Sequence, residues 1–155
     1  MQAKHTKAFT MLELTFAIVI IGILSAVAVP RMAVTRDDAI ITKARATVAA
    51  VRNSISTERQ RRILQGNFTA ISDLAGDGTV DTPIFDLFED NATAVLEYPL
   101  RACATAASTG CWVSTANNTY NYTMPDTGNV VPFTLANSRF TCADDILGDC
   151  RLLSE

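Results

Sequence analysis

The sequence predicts an α+β fold, in which one long N-terminal helix packs against a C-terminal antiparallel sheet. Two observations predict the helix: residues 9–29 are almost entirely apolar, and apolar residues then recur at steps of three and four as far as Ile55. A third observation predicts the sheet, because short segments rich in β-branched and aromatic residues follow one another from Trp112 onward. Helix-stop residues at positions 65–67 separate the two parts.

The apolar segment contains 21 residues, enough to cross the hydrocarbon core of a bilayer as a helix. Lys4, His5 and Lys7 precede it without a nearby acid, so the positive-inside rule predicts a cytoplasmic N-terminus. No second segment of comparable hydropathy follows. We therefore predict a single-pass protein with four parts: residues 1–8 form a leader, 9–30 the membrane-spanning helix, 31–65 its amphipathic continuation and 66–155 an extracytoplasmic globular head.

The helix is expected to cover about residues 9–65. Pro30 interrupts this range, and because proline lacks a backbone donor and clashes with the preceding turn, we expect a kink or local melting within residues 22–30. Beyond Pro30, one apolar stripe is predicted to face the head. It consists of Ile41, Ala44, Val48, Val51 and Ile55.

The sheet is predicted from four segments, at residues 112–114, 120–124, 130–135 and 139–142. Apolar side chains alternate along the second and third of these, as at Tyr120 and Tyr122, which is typical of an antiparallel sheet with one face packed on a core. Residues 67–91 are predicted to be a connecting loop, with one short helix at about residues 84–88.

Four cysteines, Cys103, Cys111, Cys142 and Cys150, lie in the part predicted to be outside the cytoplasm, which favours disulfides. Three pairings are possible. We favour Cys103 with Cys111 and Cys142 with Cys150, because each pair closes a short loop that contains turn-forming residues. A zinc site is disfavoured, since the cysteines lack Cys-x-x-Cys spacing and His5 is the one histidine.

One carboxylate, that of Glu13, lies inside the apolar segment. A charged side chain in a bilayer costs about 2.5 to 3.5 kcal/mol at the centre and less near an end, so such a residue marks a functional site. If the chain were cut between Ala8 and Phe9, the new α-amine of Phe9 would be a cation beside the Glu13 carboxylate of a neighbouring copy. We therefore expect an ion pair between subunits.

These residues resemble the leader and mature N-terminus of type IV pilins and of the pseudopilins of type II secretion systems. The family pattern is a short basic leader, a small residue before the cut, phenylalanine after it and glutamate four residues further on. Ala8, Phe9 and Glu13 match this pattern, and Pro30 stands where many members carry a helix-kinking proline. The chain departs from the pattern at Ala8, where most members have glycine.

The resemblance implies a pilin-like α+β fold and a structural role in a filament. It implies that an inner-membrane prepilin peptidase cuts after Ala8 and methylates the amine of Phe9. It also implies that Glu13 and Pro30 act in assembly with homologous pilin subunits on an inner-membrane platform. The protein would lie in the bacterial inner membrane with its head in the periplasm, then in a filament in the periplasm or at the cell surface. Pilus and secretion pseudopilus are both open.

An ordinary secretory signal peptide is the alternative interpretation. Lys4 and Lys7, the apolar residues 14–24 and the small-x-small site at residues 26–28 fit that pattern. Cleavage after Ala28 would release a soluble periplasmic binding or interaction protein. Against this alternative, Glu13 would weaken a signal peptide, and the helical pattern continues through the cut.

Charge divides along the chain. Residues 31–62 contain eight basic and three acidic residues (net +5), whereas residues 66–155 contain three basic and twelve acidic residues (net −9). This division indicates either complementary surfaces on neighbouring subunits or separately solvated faces. Arg59, Arg61 and Arg62 form a basic cluster, but no aromatic residues alternate with them for base stacking, so a nucleic-acid partner is disfavoured.

Catalysis is not predicted, because loss of the leader removes His5, and the sequence has no glycine-rich phosphate loop or nucleophile elbow. No cofactor is expected. Asp73, Asp77 and Asp81 follow part of a calcium-loop pattern, but Ile84 stands at the position of its bidentate acid. They are weak calcium candidates, and a turn-forming acidic loop is favoured.

Overall fold

The computed structural model of the chain describes residues 9–75, 79–89, 92–115, 118–143 and 148–154. It contains two compact units, Met1–Arg36 and Asp37–Glu155. One helix, α1, runs from Met11–Leu64 and contributes to both units. The α+β fold class is confirmed, and the helix ends within two residues of the predicted limits.

The backbone of α1 remains helical through Pro30. The local melting predicted for residues 22–30 is therefore wrong for this stretch, all of which the structure describes. Proline removes a single backbone donor, and the hydrogen bonds of the adjacent turns keep the helix. The predicted bend at this position stays a prediction.

Four two-residue strands follow the helix in place of a plain loop. They pair as two small antiparallel sheets, β1 with β3 and β2 with β4. The short helix predicted at residues 84–88 is wrong, because Phe85 adopts a left-handed φ of 56° that ends regular structure there. The strands are β1 (Leu74–Ala75), β2 (Pro83–Ile84), β3 (Leu87–Phe88) and β4 (Leu100–Arg101).

The main sheet has four antiparallel strands joined in sequence order, β5-β6-β7-β8. The strands are β5 (Cys111–Thr115), β6 (Thr119–Thr123), β7 (Val130–Ala136) and β8 (Arg139–Cys142), which confirms the four predicted segments. The alternation is also confirmed: Tyr120 lies opposite Phe133 and Tyr122 opposite Val131, and all four side chains are buried.

The core of the head lies between this sheet and the second half of α1. Ala44, Val48, Val51 and Ile55 are buried in the same cluster as the inward side chains of the sheet, and Ile41 packs at its margin. The predicted stripe is therefore confirmed. Aromatic rings fill the centre, with the Phe133 and Phe140 rings stacked at 5.2 Å between centroids.

A short helix that the sequence analysis did not predict, α2 (Asp149–Ser154), completes the head. Cys150 and Leu153 on its inner side are buried. Side chains of α1 hold its C-terminal end, because the Arg45 Nε donates to the Leu152 carbonyl at 2.8 Å and the Arg52 Nη1 to the Ser154 carbonyl at 3.3 Å. Basic side chains commonly satisfy the last carbonyls of a helix in this way.

Candidate functional site

The first half of α1 exposes apolar side chains on every face. In Met11–Val29 the mean hydropathy is 2.5 and no residue is buried. Phe16 is 66% exposed and Ile20, the best covered of the large apolar side chains here, is still 41% exposed. Within the described residues, this is the one helical segment long and apolar enough to cross a membrane. Such a surface requires lipid or other protein chains around it.

The start of α1 is set by Thr10. Its Oγ1 accepts a hydrogen bond from the Glu13 N–H at 3.2 Å, and its carbonyl accepts from the Glu13 and Leu14 N–H groups at 3.1 Å. Thr10 is therefore the N-cap, and Glu13 occupies the third helical position, where its negative charge interacts favourably with the positive end of the helix dipole.

The Glu13 carboxylate itself is exposed and forms no ion pair with any described residue. It lies four residues after Phe9 and about 24 Å along the helix from Val29, at 1.5 Å per residue. The charge is therefore at one end of the apolar segment, close to the site predicted for cleavage. Hydrogen bonds from the backbone N–H of Glu13 fix the residue in the first helical turn, and its carboxylate has no cation among the described residues.

The structure describes only some of the other residues predicted to act in processing and assembly. Phe9 is 78% exposed just before α1. Pro30 is part of α1 through its backbone, and its side chain lies outside the described set. Ala8 and the rest of the predicted leader also lie outside the described residues.

Two disulfides staple the head. Cys103 bonds to Cys111 across the loop between β4 and β5, and Cys142 bonds to Cys150, which ties the end of β8 to α2. These are the two pairings favoured from the sequence. Loops of this length give a stabilisation of about 2 to 3 kcal/mol each in the chain-entropy model.

The weak calcium candidates are not brought together as a site in the described part of the chain. Asp73 accepts a hydrogen bond from the Tyr120 hydroxyl at 3.3 Å, and Asp81 pairs with Arg101 at 2.7 Å. Asp77 lies outside the described residues. Across the residues that are described, no three His, Cys, Asp or Glu side chains cluster as metal ligands would.

The structure reveals a buried ion-pair network that the sequence analysis missed. Glu58 is 3% exposed, and its carboxylate accepts hydrogen bonds from the Arg61 Nε at 2.7 Å and the Arg62 Nε at 2.8 Å. Arg62, also buried, donates from Nη1 to Glu89 at 2.6 Å. Glu89 in turn accepts from the Ser72 hydroxyl at 3.0 Å. The network joins the end of α1 to Ser72, which precedes β1, and to Glu89, which follows β3.

Both carboxyl groups of the network are held in the charged form. Hydrogen bonds from Arg61 hold the pKa of Glu58 below its ordinary value, against the opposing effect of burial. Burial acts to raise the pKa of Glu89, but hydrogen bonds from Arg62 and Ser72 outweigh it, so the net shift is also downward. The spacing of the sequence could have indicated that Glu58 and Arg62 are buried, because they continue the apolar stripe beyond Ile55 at steps of three and four.

The network also changes the interpretation of the basic cluster. Arg61 and Arg62 are paired with acids, and their charges are compensated within the chain. Arg59 points to the other side and donates from Nη1 to the Phe68 carbonyl at 2.9 Å and to the Thr69 carbonyl. The three arginines therefore do not form one basic surface.

A comparison with protein families gives one match. The model described as the prokaryotic N-terminal methylation motif matches residues 3–29, which include the predicted cleavage position, Glu13 and the apolar span. No curated protein matches the chain. No solved structure matches it either.

The matched motif and the fold together define the class of protein. The motif is the prepilin-type N-terminus, and the structure supplies the long apolar helix that continues into a helix packed on an antiparallel sheet. The chain therefore carries a prepilin-type N-terminal motif on a pilin-like α+β architecture.

Proposed function

We propose that the protein is a structural subunit of a type IV pilus or of a type II secretion pseudopilus. In this proposal a prepilin peptidase cuts between Ala8 and Phe9 and methylates the new amine. The subunit waits in the inner membrane with its head in the periplasm, and it enters the filament when its apolar helix leaves the lipid and packs against the helices of other subunits.

The observation that carries the proposal is the methylation motif on a helix whose apolar surface is wholly uncovered. Residues 3–29 match the motif, and the span Met11–Val29 has no buried residue. A helix that is apolar on all sides is stable only inside lipid or inside a protein core. The chain has a separate folded head with its own core, so this helix is not needed to complete the head.

Glu13 supplies the register of assembly in this proposal. Glu13 lies at the third helical position, and its carboxylate has no cation among the described residues. Cleavage after Ala8 removes Lys4 and Lys7 and creates one new cation, the amine of Phe9, at the same end of the helix. Inside an apolar filament core, loss of one member of such a pair costs about 3 to 5 kcal/mol. The pair therefore selects one relative position of neighbouring helices.

The experiment compares Glu13→Gln with the wild-type chain in cells that contain the assembly machinery. Glutamine keeps the side-chain length and the backbone hydrogen bond to Thr10 but removes the charge. We expect Glu13→Gln to insert in the membrane and to be cleaved as the wild type is. We expect its incorporation into filaments to fall at least about a hundredfold, since an uncompensated charge costs about 3 kcal/mol or more.

Glu13→Asp is the matched control, because it retains the charge on a side chain that is one methylene shorter. It should assemble better than Glu13→Gln. Membrane extraction measures insertion separately from assembly, and purified filaments measure incorporation. Filaments of Glu13→Gln at the wild-type level would contradict a role for the charge.

A further inference from the structure

Three arginines stand in a row along the second half of α1. Arg45, Arg52 and Arg59 are separated by steps of seven residues, nearly two helical turns, so they lie on one face at intervals of about 10.5 Å. Backbone carbonyls hold all three guanidinium groups in place. Arg45 donates to Leu152, Arg52 to Phe140 and Ser154, and Arg59 to Phe68 and Thr69.

These contacts orient the arginines without neutralising them. None of the three pairs with a described carboxylate, and Arg139 on β8, which is exposed, pairs with none either. A guanidinium that is already ordered loses little side-chain entropy when it binds an anion. The row is therefore prepared for an anionic partner that the described residues of this chain do not supply.

A cleft in the head brings three of these charges together. It lies between α1 and β8, has a volume of about 420 Å³ and is lined by Arg52, Arg59 and Arg139. Ile55 and Phe140 line it as well and give it an apolar wall. Because arginine both stacks on aromatic rings and binds carboxylates through two hydrogen bonds, this cleft fits an aromatic side chain next to an acid.

The same chain displays that combination on a different surface. Tyr98 is 79% exposed, and the neighbouring Glu97 is exposed and pairs with no described residue. Phe68 is the other strongly exposed aromatic residue of the described head, but it lies on the basic side, where Arg59 binds its carbonyl. Tyrosine and arginine are both enriched at the energetic centres of protein interfaces.

We infer that the cleft between α1 and β8 binds Glu97 and Tyr98 of a second copy of this chain. This inference rests on the proposed function and specifies one contact between heads in the filament. Because the two surfaces differ, the contact is head-to-tail, and such contacts produce a ring or an open helical filament rather than a symmetric dimer. The acidic charge of residues 66–155 and the basic charge of residues 31–62 favour it.

The first arm of the test places a photo-crosslinking benzoylphenylalanine at position 98 of the full-length chain. Cells producing filaments from a mixture of isotopically light and heavy subunits are irradiated, and the joined peptides are identified by mass spectrometry. We expect mixed light–heavy products between position 98 and the peptides that contain Arg59 or Arg139. The same probe at Val80, which is 45% exposed but is not next to an aromatic–acid pair, should not reach that cleft.

The second arm exchanges charges at two exposed positions, Glu97→Arg and Arg139→Glu. Each single change should lower the yield of the position-98 crosslink about tenfold, and the double change should restore most of it. Both side chains are exposed, so thermal unfolding of each variant should match the wild type and exclude loss of the fold.

The outcomes separate this inference from the proposed function. Filaments that form normally while the probe reaches a different surface, or while the double change restores nothing, overturn the inference alone. A wild-type chain that never assembles overturns both. A position-98 probe that forms no mixed light–heavy product in intact filaments would also overturn it.

Discussion

The two halves of α1 have similar apolar side chains but opposite surroundings. In the second half, Ala44, Val48, Val51 and Ile55 are covered by the sheet of the same chain. In the first half, Met11–Val29, no residue is covered. The difference teaches that one helix presents two kinds of apolar surface: the sheet of the same chain covers the first, and no described residue covers the second.

The two glutamates on this helix show the same contrast. Glu58 is 3% exposed and is bound by Arg61 and Arg62 of its own chain. Glu13 lies at the helix start, exposed and without a cation among the described residues. A buried carboxylate is tolerated only with such partners. The proposed filament gives Glu13 the partner that Glu58 already has.

The largest effect on stability is expected from a comparison of two phenylalanines, one in the core of the head and one on the uncovered first half of α1. Phe133 is fully buried and packs on the Trp112 and Phe140 rings at 5.3 and 5.2 Å between centroids. Phe133→Ala should lower the free energy of unfolding of the head by about 3 to 5 kcal/mol. Phe16→Ala, at a position 66% exposed, should change it by less than about 0.5 kcal/mol while it weakens assembly.

Denaturant unfolding of the full chain in detergent measures both values, and the yield of filaments measures the second effect. Equal destabilisation by the two substitutions would show that residues 11–29 belong to the core of the head. That result would break the contrast between the two halves.

The next largest effect on stability is expected at Glu58, which is paired with Arg61 and Arg62 of its own chain. Glu58→Gln leaves Arg61 and the buried Arg62 with one charge fewer to pair with, and it should lower the free energy of unfolding by about 3 kcal/mol. Glu97→Gln, at an exposed position without a described ion pair, should have almost no effect. A small effect at Glu58 would mean that the network is not needed to hold the end of α1.

The pH dependence of stability follows from Glu58 and Glu89, the two acids of the buried network. The pKa values of Glu58 and Glu89 are lowered in the folded head from the ordinary value of 4.5. Their stabilisation is therefore complete above about pH 5 and is lost as the pH falls through 4.5 toward the lower folded values. Glu58→Gln should flatten this acid limb in unfolding experiments, and an unchanged acid limb would contradict the assignment.

A smaller effect is expected from removal of a disulfide, since both disulfides lie in the head. Replacing Cys142 and Cys150 by serine opens the disulfide that ties α2 to β8. We expect a loss of about 2 to 3 kcal/mol in the free energy of unfolding. Insertion of the first half of α1 should not change, and a loss of insertion would mean that the two halves are not independent.

The smallest effects on stability are expected from removal of the hydroxyl groups of two tyrosines on β6, Tyr120 and Tyr122. The Tyr120 hydroxyl accepts from the Leu74 N–H at 3.2 Å and donates to Asp73 or to the Leu74 carbonyl, whereas the buried Tyr122 hydroxyl has no hydrogen-bond partner among the described residues. Tyr120→Phe should cost about 1 to 2 kcal/mol, and Tyr122→Phe about 0.5 kcal/mol or less. Burial, with the Asp126 charge, raises the pKa of Tyr122 to about 12, so alkaline titration of the two variants identifies each hydroxyl.

Most of the fold could be predicted because its main elements are long and periodic. Steps of three and four from Ile41 to Ile55 predicted the buried stripe, and alternation around Tyr120 and Phe133 predicted the sheet. The disulfide pairing could be favoured because each pair spans only eight residues in sequence. These features are local, so they are visible in the sequence itself.

The parts that were missed depend on contacts distant in sequence. The two-residue strands β1 to β4 are too short to show a period, and the left-handed φ of Phe85 is set by its burial against the Trp112 and Tyr120 rings. Glu58 and Arg62 were assigned to a charged surface because charged residues are rarely buried unless paired, and the pairing with Glu89 spans 27 residues.

At the candidate site, the sequence predicted the apolar span and the isolated carboxylate, and the structure added the hydrogen bonds that fix the start of the helix. The hydrogen bond from the Glu13 N–H to Thr10 places the acid at the third helical position. The Thr10-x-x-Glu13 spacing is itself a capping-box signal that could have been found in the sequence. The arginine row was not recognised in the sequence, because several of the carbonyls that orient its side chains belong to β8 and α2, which are distant along the chain.

The most direct measurement is the N-terminal sequence, with the exact mass, of the mature protein purified from the cells that produce it. The account requires a chain that begins at Phe9 with a methylated amine, because only that cut creates a cation for Glu13 and keeps the whole of α1. A chain that begins at Val29, or one that retains the first eight residues, would contradict it.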